Sequence, residues 1–176
     1  CLSLGMEVDQ VIDGLTRLKP VKGRLELVGK TEAGAGVFVD YAHTPDGLDV
    51  LLRAVRPHTA GRLKVIFGCG GDRDTKKRPL MGEIAARQAD DVIVTDDNPR
   101  TEDADKIRHA ILEGAPGARE IGDRAEAIRT VIGELRKGDT LVIAGKGHET
   151  GQIIGTDVIP FSDQDTALAA LKGGAG

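Results

Sequence analysis

The sequence predicts an open, doubly wound α/β domain: a mostly parallel, Rossmann-like sheet with helices on both faces. Three observations carry this. From Arg24 onward, short apolar strands alternate with helical patterns. Continuous apolar runs such as Leu63-Lys64-Val65-Ile66-Phe67 and Val92-Ile93-Val94 read as strands covered on both faces. The length, 176 residues, suits one ordinary domain with a short appendage.

The elements follow in order. Residues 1–20 carry Val8, Val11, Ile12, Leu15 and Leu18 at helical spacing, closed by Lys19-Pro20. This segment is an N-terminal helix of the domain or the tail of something upstream. The chain opens Cys1-Leu2-Ser3 with no initiator Met, so it is expected to be processed or a fragment. Strands are expected at 25–28, 37–41, 63–67, 91–95, 119–121 and 140–144. Helices are expected at about 45–56, 78–89, 103–113, 124–136 and 163–172. Thr44-Pro45 is a cap followed by Pro at the first helical position, Asp123 and Glu126 have capping-box spacing, and Ser162 precedes the last helix. Residues 152–161, with Gly155 at the turn, read as a small hairpin near the sheet edge.

Composition narrows the function classes. The 24 Lys and Arg against 28 Asp and Glu leave a net charge of −4, which offers no bulk footprint for nucleic acid or for an anionic membrane. With three Phe, one Tyr and no Trp, base-stacking platforms of the single-strand-binding kind are excluded and the core must be aliphatic. Cys1 and Cys69 form neither a disulfide framework nor a zinc-spaced cluster, which fits a reducing cytosol. No apolar run approaches the ~20 residues of a membrane span, and there is no signal peptide. The 24 glycines show no repeat, so they read as turns that need an explanation.

Four strands end in polar, glycine-rich segments: Asp40-Tyr41-Ala42-His43-Thr44-Pro45-Asp46, Gly68-Cys69-Gly70-Gly71-Asp72-Arg73-Asp74, Asp96-Asp97-Asn98-Pro99-Arg100 and Gly145-Lys146-Gly147-His148-Glu149. In an open α/β sheet all four fall at the carboxyl edge, where such folds bind ligands. One cleft is therefore expected to hold two His, several carboxylates and the cations Arg73, Arg100 and Lys146. The glycines after residue 67, with Arg73, Lys76, Lys77 and Arg78, read as an anion site or as a flexible turn with solvated charges. They form neither a Gly-Lys-Ser/Thr loop nor a Gly-x-Gly-x-x-Gly fingerprint. Pro99 stiffens its loop, which then projects Arg100, a rigid fork suited to a carboxylate. Glu149 suits an ammonium. His148 has no Ser or Cys nucleophile beside it, so no triad is supported. His43 is either a loop-fixing hydrogen bonder or a phosphate contact, and Asp90-Asp91 and Glu102-Asp103 read as solvated helix-end charges.

Taken together, Gly23-Arg24-Leu25-Glu26, the segments 40–46, 68–81 and 96–100, and Gly145 to Glu149 resemble the Mur ligase family of peptidoglycan synthesis. They are most similar to the C-terminal domain of its diaminopimelate-adding members. The resemblance implies an ATP-dependent amide-bond ligase of the bacterial cytoplasm: the glutamate carboxylate of UDP-N-acetylmuramoyl-L-alanyl-D-glutamate is activated as an acyl phosphate, and the incoming amine attacks it. It further implies that residues 1–22 end a central ATPase domain and that 23–176 are the C-terminal domain. ATP and Mg2+ would be bound mainly by that central domain. This chain would then hold no catalytic residue and no metal, and would be inactive alone. By matching position, Asp97, Asn98, Pro99 and Arg100, with Arg73, Gly145 and Glu149, would bind meso-diaminopimelate, while Arg24, Asp40 and His43 would lie near the nucleotide. Lysine-adding members of the family lack the Arg-bearing motif. Two other readings stay open: a stand-alone Rossmann-like nucleotide-binding module, and a ligase of the same superfamily taking L-lysine or glutamate. Neither nucleic acid nor membrane is expected as a partner.

Overall fold

The computed structural model describes residues 2–17 and 21–173. Cys1 and the expected helix end at Leu18, Lys19 and Pro20 lie outside the described residues. A short 3-10 turn, Leu2–Leu4, precedes α1 (Val8–Thr16), which buries none of its side chains; Val8, Ile12 and Leu15 form an exposed apolar stripe. The sheet then builds in the order β1 (Glu26–Lys30), β2 (Gly36–Asp40), β6 (Thr140–Ala144), β3 (Leu63–Phe67), β4 (Asp91–Val94), β5 (Arg119–Glu120). The edge strand β1 runs antiparallel to β2, and all other pairings are parallel. Strand β1 extends two residues beyond the expected Val28, because the Thr31 to Ala35 turn closes a hairpin whose ladder reaches Lys30.

The pleat sorts the core into two layers. Val65, Phe67, Val92, Val94 and Val142 face α2 (Pro45–Val55), α3 (Lys77–Gln88) and α4 (Ala104–Leu112); Ile66, Ile93, Leu141 and Ile143 face α5 (Arg124–Gly133) and α6 (Asp163–Gly173). Strands β3 and β6 are buried along their whole length, as their continuous apolar runs require. The expected caps form: Thr44 Oγ1 accepts from Gly47 N, an Asp123 oxygen accepts from Glu126 N, and Ser162 Oγ accepts from Asp165 N. The progression across the sheet reverses at β6: β3 leads on to β4 and β5 through α3 on one face, whereas the chain then turns back to place β6 between β2 and β3 and leads from it to α6 on the opposite face. That reversal opens a crevice at the carboxyl ends of β3 and β6.

The hairpin, β7 (Gly151–Ile154) and β8 (Asp157–Pro160), forms its own two-stranded sheet rather than extending the main one. It is tied to the loop after β4 instead, with Arg100 N donating to Ile153 O and Gly155 N donating to Arg100 O.

Three expected surface features turn out to be structural. Asp90 accepts from Arg56 and from Leu63 N, and Asp91 pairs with the buried Lys64. Glu102 accepts from buried Arg78 at 2.9 Å and from Asp72 N at 2.5 Å. Arg78 is therefore withdrawn from the anion loop to which the sequence assigned it: it also donates to Gly70 O, and so ties the loop after β3 to the loop after β4.

These carboxylates make acid stability predictable. The Arg78 hydrogen bond holds Glu102 below its ordinary value, and the Thr101 hydroxyl does the same for Asp72. A depressed folded-state pKa contributes stability that is complete above the unfolded values of about 3.9 and 4.3 and is lost as pH falls through the folded ones. Thermal melts of Glu102→Gln and the parent should therefore differ at neutral pH and converge below about pH 4; a gap constant from pH 3 to 7 contradicts this.

Candidate functional site

The four strand-end segments meet around one cavity of about 560 Å³ above the β3/β6 crevice, lined by Tyr41 to Pro45 except Ala42, by Gly68 to Gly70, and by Arg73, Asp97, Asn98, Arg100, Gly145 and Glu149 among others. A slightly larger cavity of about 620 Å³ lies elsewhere, between the β1–β2 turn and helices α5 and α6; it is mainly apolar and gathers none of the strand-end residues.

Gly145 has φ +116°, and a Cβ there would stand 2.7 Å from Asp97 Oδ2. At Gly71 a Cβ would fall 1.9 Å from the carbonyl oxygen of Pro99. The sequence suggests that the glycines clear backbone for a ligand. At Gly71 they clear it for the neighbouring loop, and so bring the arginine-bearing and aspartate-bearing segments together.

Asp97 is buried, with 8% of its surface exposed, yet its carboxylate accepts no hydrogen bond from the described residues; Lys146 Nζ stands off at 3.9 Å. Burial pushes its pKa up, while Arg124 and Lys146 oppose the rise. A buried carboxylate that opens on a cavity and accepts no hydrogen bond from the described residues is suited to receive a cationic donor.

Arg100 adopts φ +53°, a left-handed conformation uncommon for a non-glycine residue, and the two hairpin hydrogen bonds hold it there. Its Nη1 donates to Gly71 O at 2.8 Å and Asn98 O at 3.4 Å, leaving Nε and Nη2 without partners among the described residues. Half of the fork is anchored and half is offered to the cavity. Arg73 stands exposed on the rim, its Nη1 donating only to Asp72 O. Asn98 Nδ2 donates to Glu149 Oε2 at 3.0 Å. Pro99 shapes the loop but does not line the cavity.

The cleft differs from expectation in two respects. Lys146 is fully buried beneath the cavity, and His148 is exposed outside it, its ring 5.4 Å from that of Tyr41. Of the three residues expected near a nucleotide, only His43 lines the cavity. Its Nδ1 donates to Tyr41 O at 2.9 Å, so it fixes the loop, and Nε2 has no hydrogen-bond partner among the described residues. Arg24 lies over the Tyr41 ring, 4.6 Å from its centroid. Asp40 is occupied by two backbone donors, Leu25 N and Ala42 N, both at 2.7 Å. Cys69 lines the cavity, but burial pushes its thiol up to about 12, which rules it out as a nucleophile at neutral pH.

Sequence reasoning missed the buried pair Arg124–Asp163. Arg124 Nε and Nη2 donate to the two Asp163 oxygens at 2.8 Å, and Nη2 also reaches Ala144 O at 2.9 Å, beside Gly145. The only signal was a charged residue at the start of each of two helices, which reads equally well as a solvated helix end.

With this geometry in place, the chain can be compared with known proteins. The family model for the Mur ligase, glutamate ligase domain matches residues 23–147. The UDP-N-acetylmuramoyl-L-alanyl-D-glutamate--2,6-diaminopimelate ligase of Chelativorans sp. (strain BNC1) is 59% identical over 171 residues, 97% of this chain and 35% of that protein. A solved structure of a ligase of the same name is 39% identical with a TM-score of 0.81, over 97% of this chain and 36% of that one. The UDP-N-acetylmuramate-alanine ligase of Thermotoga maritima shares the fold, at 20% identity and a TM-score of 0.64, over 97% of this chain and 34% of its own. The chain thus spans about 35% of the length of the curated relatives it matches.

Proposed function

Because this chain belongs to the Mur ligase family, through the glutamate ligase domain, we propose that it presents the amino acid in an ATP-dependent ligase that joins meso-diaminopimelate to UDP-N-acetylmuramoyl-L-alanyl-D-glutamate. Residues 23–176 are that C-terminal domain, residues 1–22 lead out of a central ATPase domain, and the reaction belongs to the bacterial cytoplasm. The observation that carries this reading is the pairing, in one cavity, of a buried carboxylate that accepts no hydrogen bond from the described residues, Asp97, with the half-free guanidinium of Arg100.

Meso-diaminopimelate has two carboxylates and two amines. Arg100 and Arg73 suit its carboxylates, and Asp97 and Glu149 suit an ammonium, so the ligand's charges match the residues around the cavity. Clamping one end of the molecule leaves the amine at the other end to attack the activated glutamate carboxyl. In this step the attacking amine must shed its proton while the clamped ammonium keeps its own.

ATP, when bound, supplies the phosphoryl group that activates the carboxyl. Arg24, braced on Tyr41, and His43 Nε2 are the groups of this chain suited to meet its phosphates, with Asp40 fixing the backbone between them. Mg2+ would be held mainly by the central domain; among the described residues there is no group of three or more His, Cys, Asp or Glu placed to hold a metal ion. Nor is any described helix long and apolar enough to cross a membrane.

The test is substrate discrimination by the intact ligase. L-Lysine lacks the second carboxylate and would leave an arginine unpaired, so kcat/KM for meso-diaminopimelate should exceed that for L-lysine by at least about 100-fold. Equal or faster use of L-lysine refutes the assignment.

A further inference from the structure

Lys146 is the one site lysine that the cavity does not expose. Its side chain is fully buried, and Nζ donates to Asn98 Oδ1 at 2.8 Å and to Glu149 Oε2 at 3.4 Å, with Asp97 Oδ1 at 3.9 Å. Taking an ammonium out of water costs several kcal/mol unless its partners are well placed. Here all three partners are cavity residues, so the charge is spent on the site and not on the core.

Its first consequence is the orientation of Asn98. Oδ1 accepts from both Lys146 Nζ and Ile153 N, the latter at 3.0 Å. A flipped amide would aim its NH2 group at two donors, one of them charged, so the ammonium allows a single orientation. That orientation directs Nδ2 at Glu149 Oε2. Glu149 is then held through Oε2 by two donors, while Oε1 has no partner among the described residues.

The second consequence is charge. Asp97 is buried beside Glu149, whose negative charge pushes the Asp97 pKa up while the Lys146 ammonium opposes the rise. The titratable and charged groups around them are Lys146, Arg124 and Asp163 on the buried side, and Arg73, Asp74, Lys76, Lys77, Arg100 and His43 lining the cavity. Of the cations, Lys146 is the one in direct contact with Glu149.

We propose that Lys146 is a positioning residue that determines specificity: by orienting Asn98 and compensating Asp97 and Glu149, it makes this end of the cavity a receptor for the ligand's second ammonium. The proposal rests on the diaminopimelate reading above, and its test separates the two.

The intact ligase and its Lys146→Met variant are assayed with meso-diaminopimelate and with 2-aminopimelate, which keeps both carboxylates and one amine but lacks the second. The parent is expected to prefer meso-diaminopimelate by at least about tenfold in kcat/KM, since a buried charged contact is lost with the other substrate. Lys146→Met should raise KM for meso-diaminopimelate by about tenfold or more and bring the preference close to one, with kcat and KM for ATP within about twofold of the parent. Lys146→Gln keeps a donor without the charge and should lose the preference as well, so it serves if the methionine variant does not fold. A preference retained in either folded variant, or absent in the parent, overturns the proposal. So does a parallel rise in KM for ATP with a fall in melting temperature, which would mark a purely structural role. If the parent does not use meso-diaminopimelate at all, the functional reading fails and the proposal with it; if the parent uses it and the variants match the parent, only the role of Lys146 falls.

Discussion

Replacing Arg100 by alanine in the intact ligase is expected to raise KM for meso-diaminopimelate by at least about 100-fold, because hydrogen bonds between charged groups contribute about 1.5–3 kcal/mol each and the free half of the fork can make two. KM for ATP should stay near the parent value. Folding should survive, since the hairpin holds this residue through its backbone N–H and carbonyl, which alanine keeps. Arg100→Lys should rescue little: a lysine ammonium is a point charge and cannot both donate to Gly71 O and present a planar pair to a carboxylate. Unchanged kinetics for meso-diaminopimelate in Arg100→Ala would refute the carboxylate-binding role.

The largest effect on stability is expected at Arg124. Arg124 is 1% exposed and Asp163 is wholly buried. Burial opposes the positive charge, and Asp163 more than restores it. Arg124→Met leaves the Asp163 carboxylate alone in the interior, at a cost of about 3–5 kcal/mol measured by denaturant unfolding. The double variant Arg124→Met, Asp163→Leu removes both charges and should recover most of that loss, because an apolar replacement of a buried pair is often neutral. A single-variant loss below about 1 kcal/mol, well under that expected for breaking a buried pair, would show that the pair is dispensable. The double variant still loses the bond to Ala144 O, so a residual loosening of Gly145 should appear as a weaker interaction with the amino acid.

Much of the fold was legible because its signals are local. The apolar runs at 63–67 and 92–94, the caps at Thr44, Asp123 and Ser162, and the polar segments at four strand ends each depend on a few neighbouring residues, and each forms as read. The carboxyl-edge location of the site follows from parallel topology alone, which is why one cavity gathers Arg73, Asp97, Asn98, Arg100, Gly145 and Glu149. Their assignment to a ligand came from the family resemblance.

Pairings across long sequence separations were not legible. Arg78 with Glu102, Lys64 with Asp91, Arg124 with Asp163 and Lys146 with Asn98 join residues that are 24 or more positions apart. A charge in a sequence reads as solvated by default, and only packing decides which charges lose their water.

By itself, then, the amino-acid sequence determined an aliphatic, doubly wound sheet and the strand ends at which polar chemistry would collect. Periodicity and turn chemistry act within a few residues, so they survive in a linear string. The tertiary structure decided how those groups divide their work. It sank Lys146 beneath the cavity, turned His148 outward, committed one arm of Arg100 to the backbone and buried Asp97 with no hydrogen-bond donor to its carboxylate among the described residues. The physical reason is that the energy of a charge depends on its burial and on its partners, and both are properties of the packed chain.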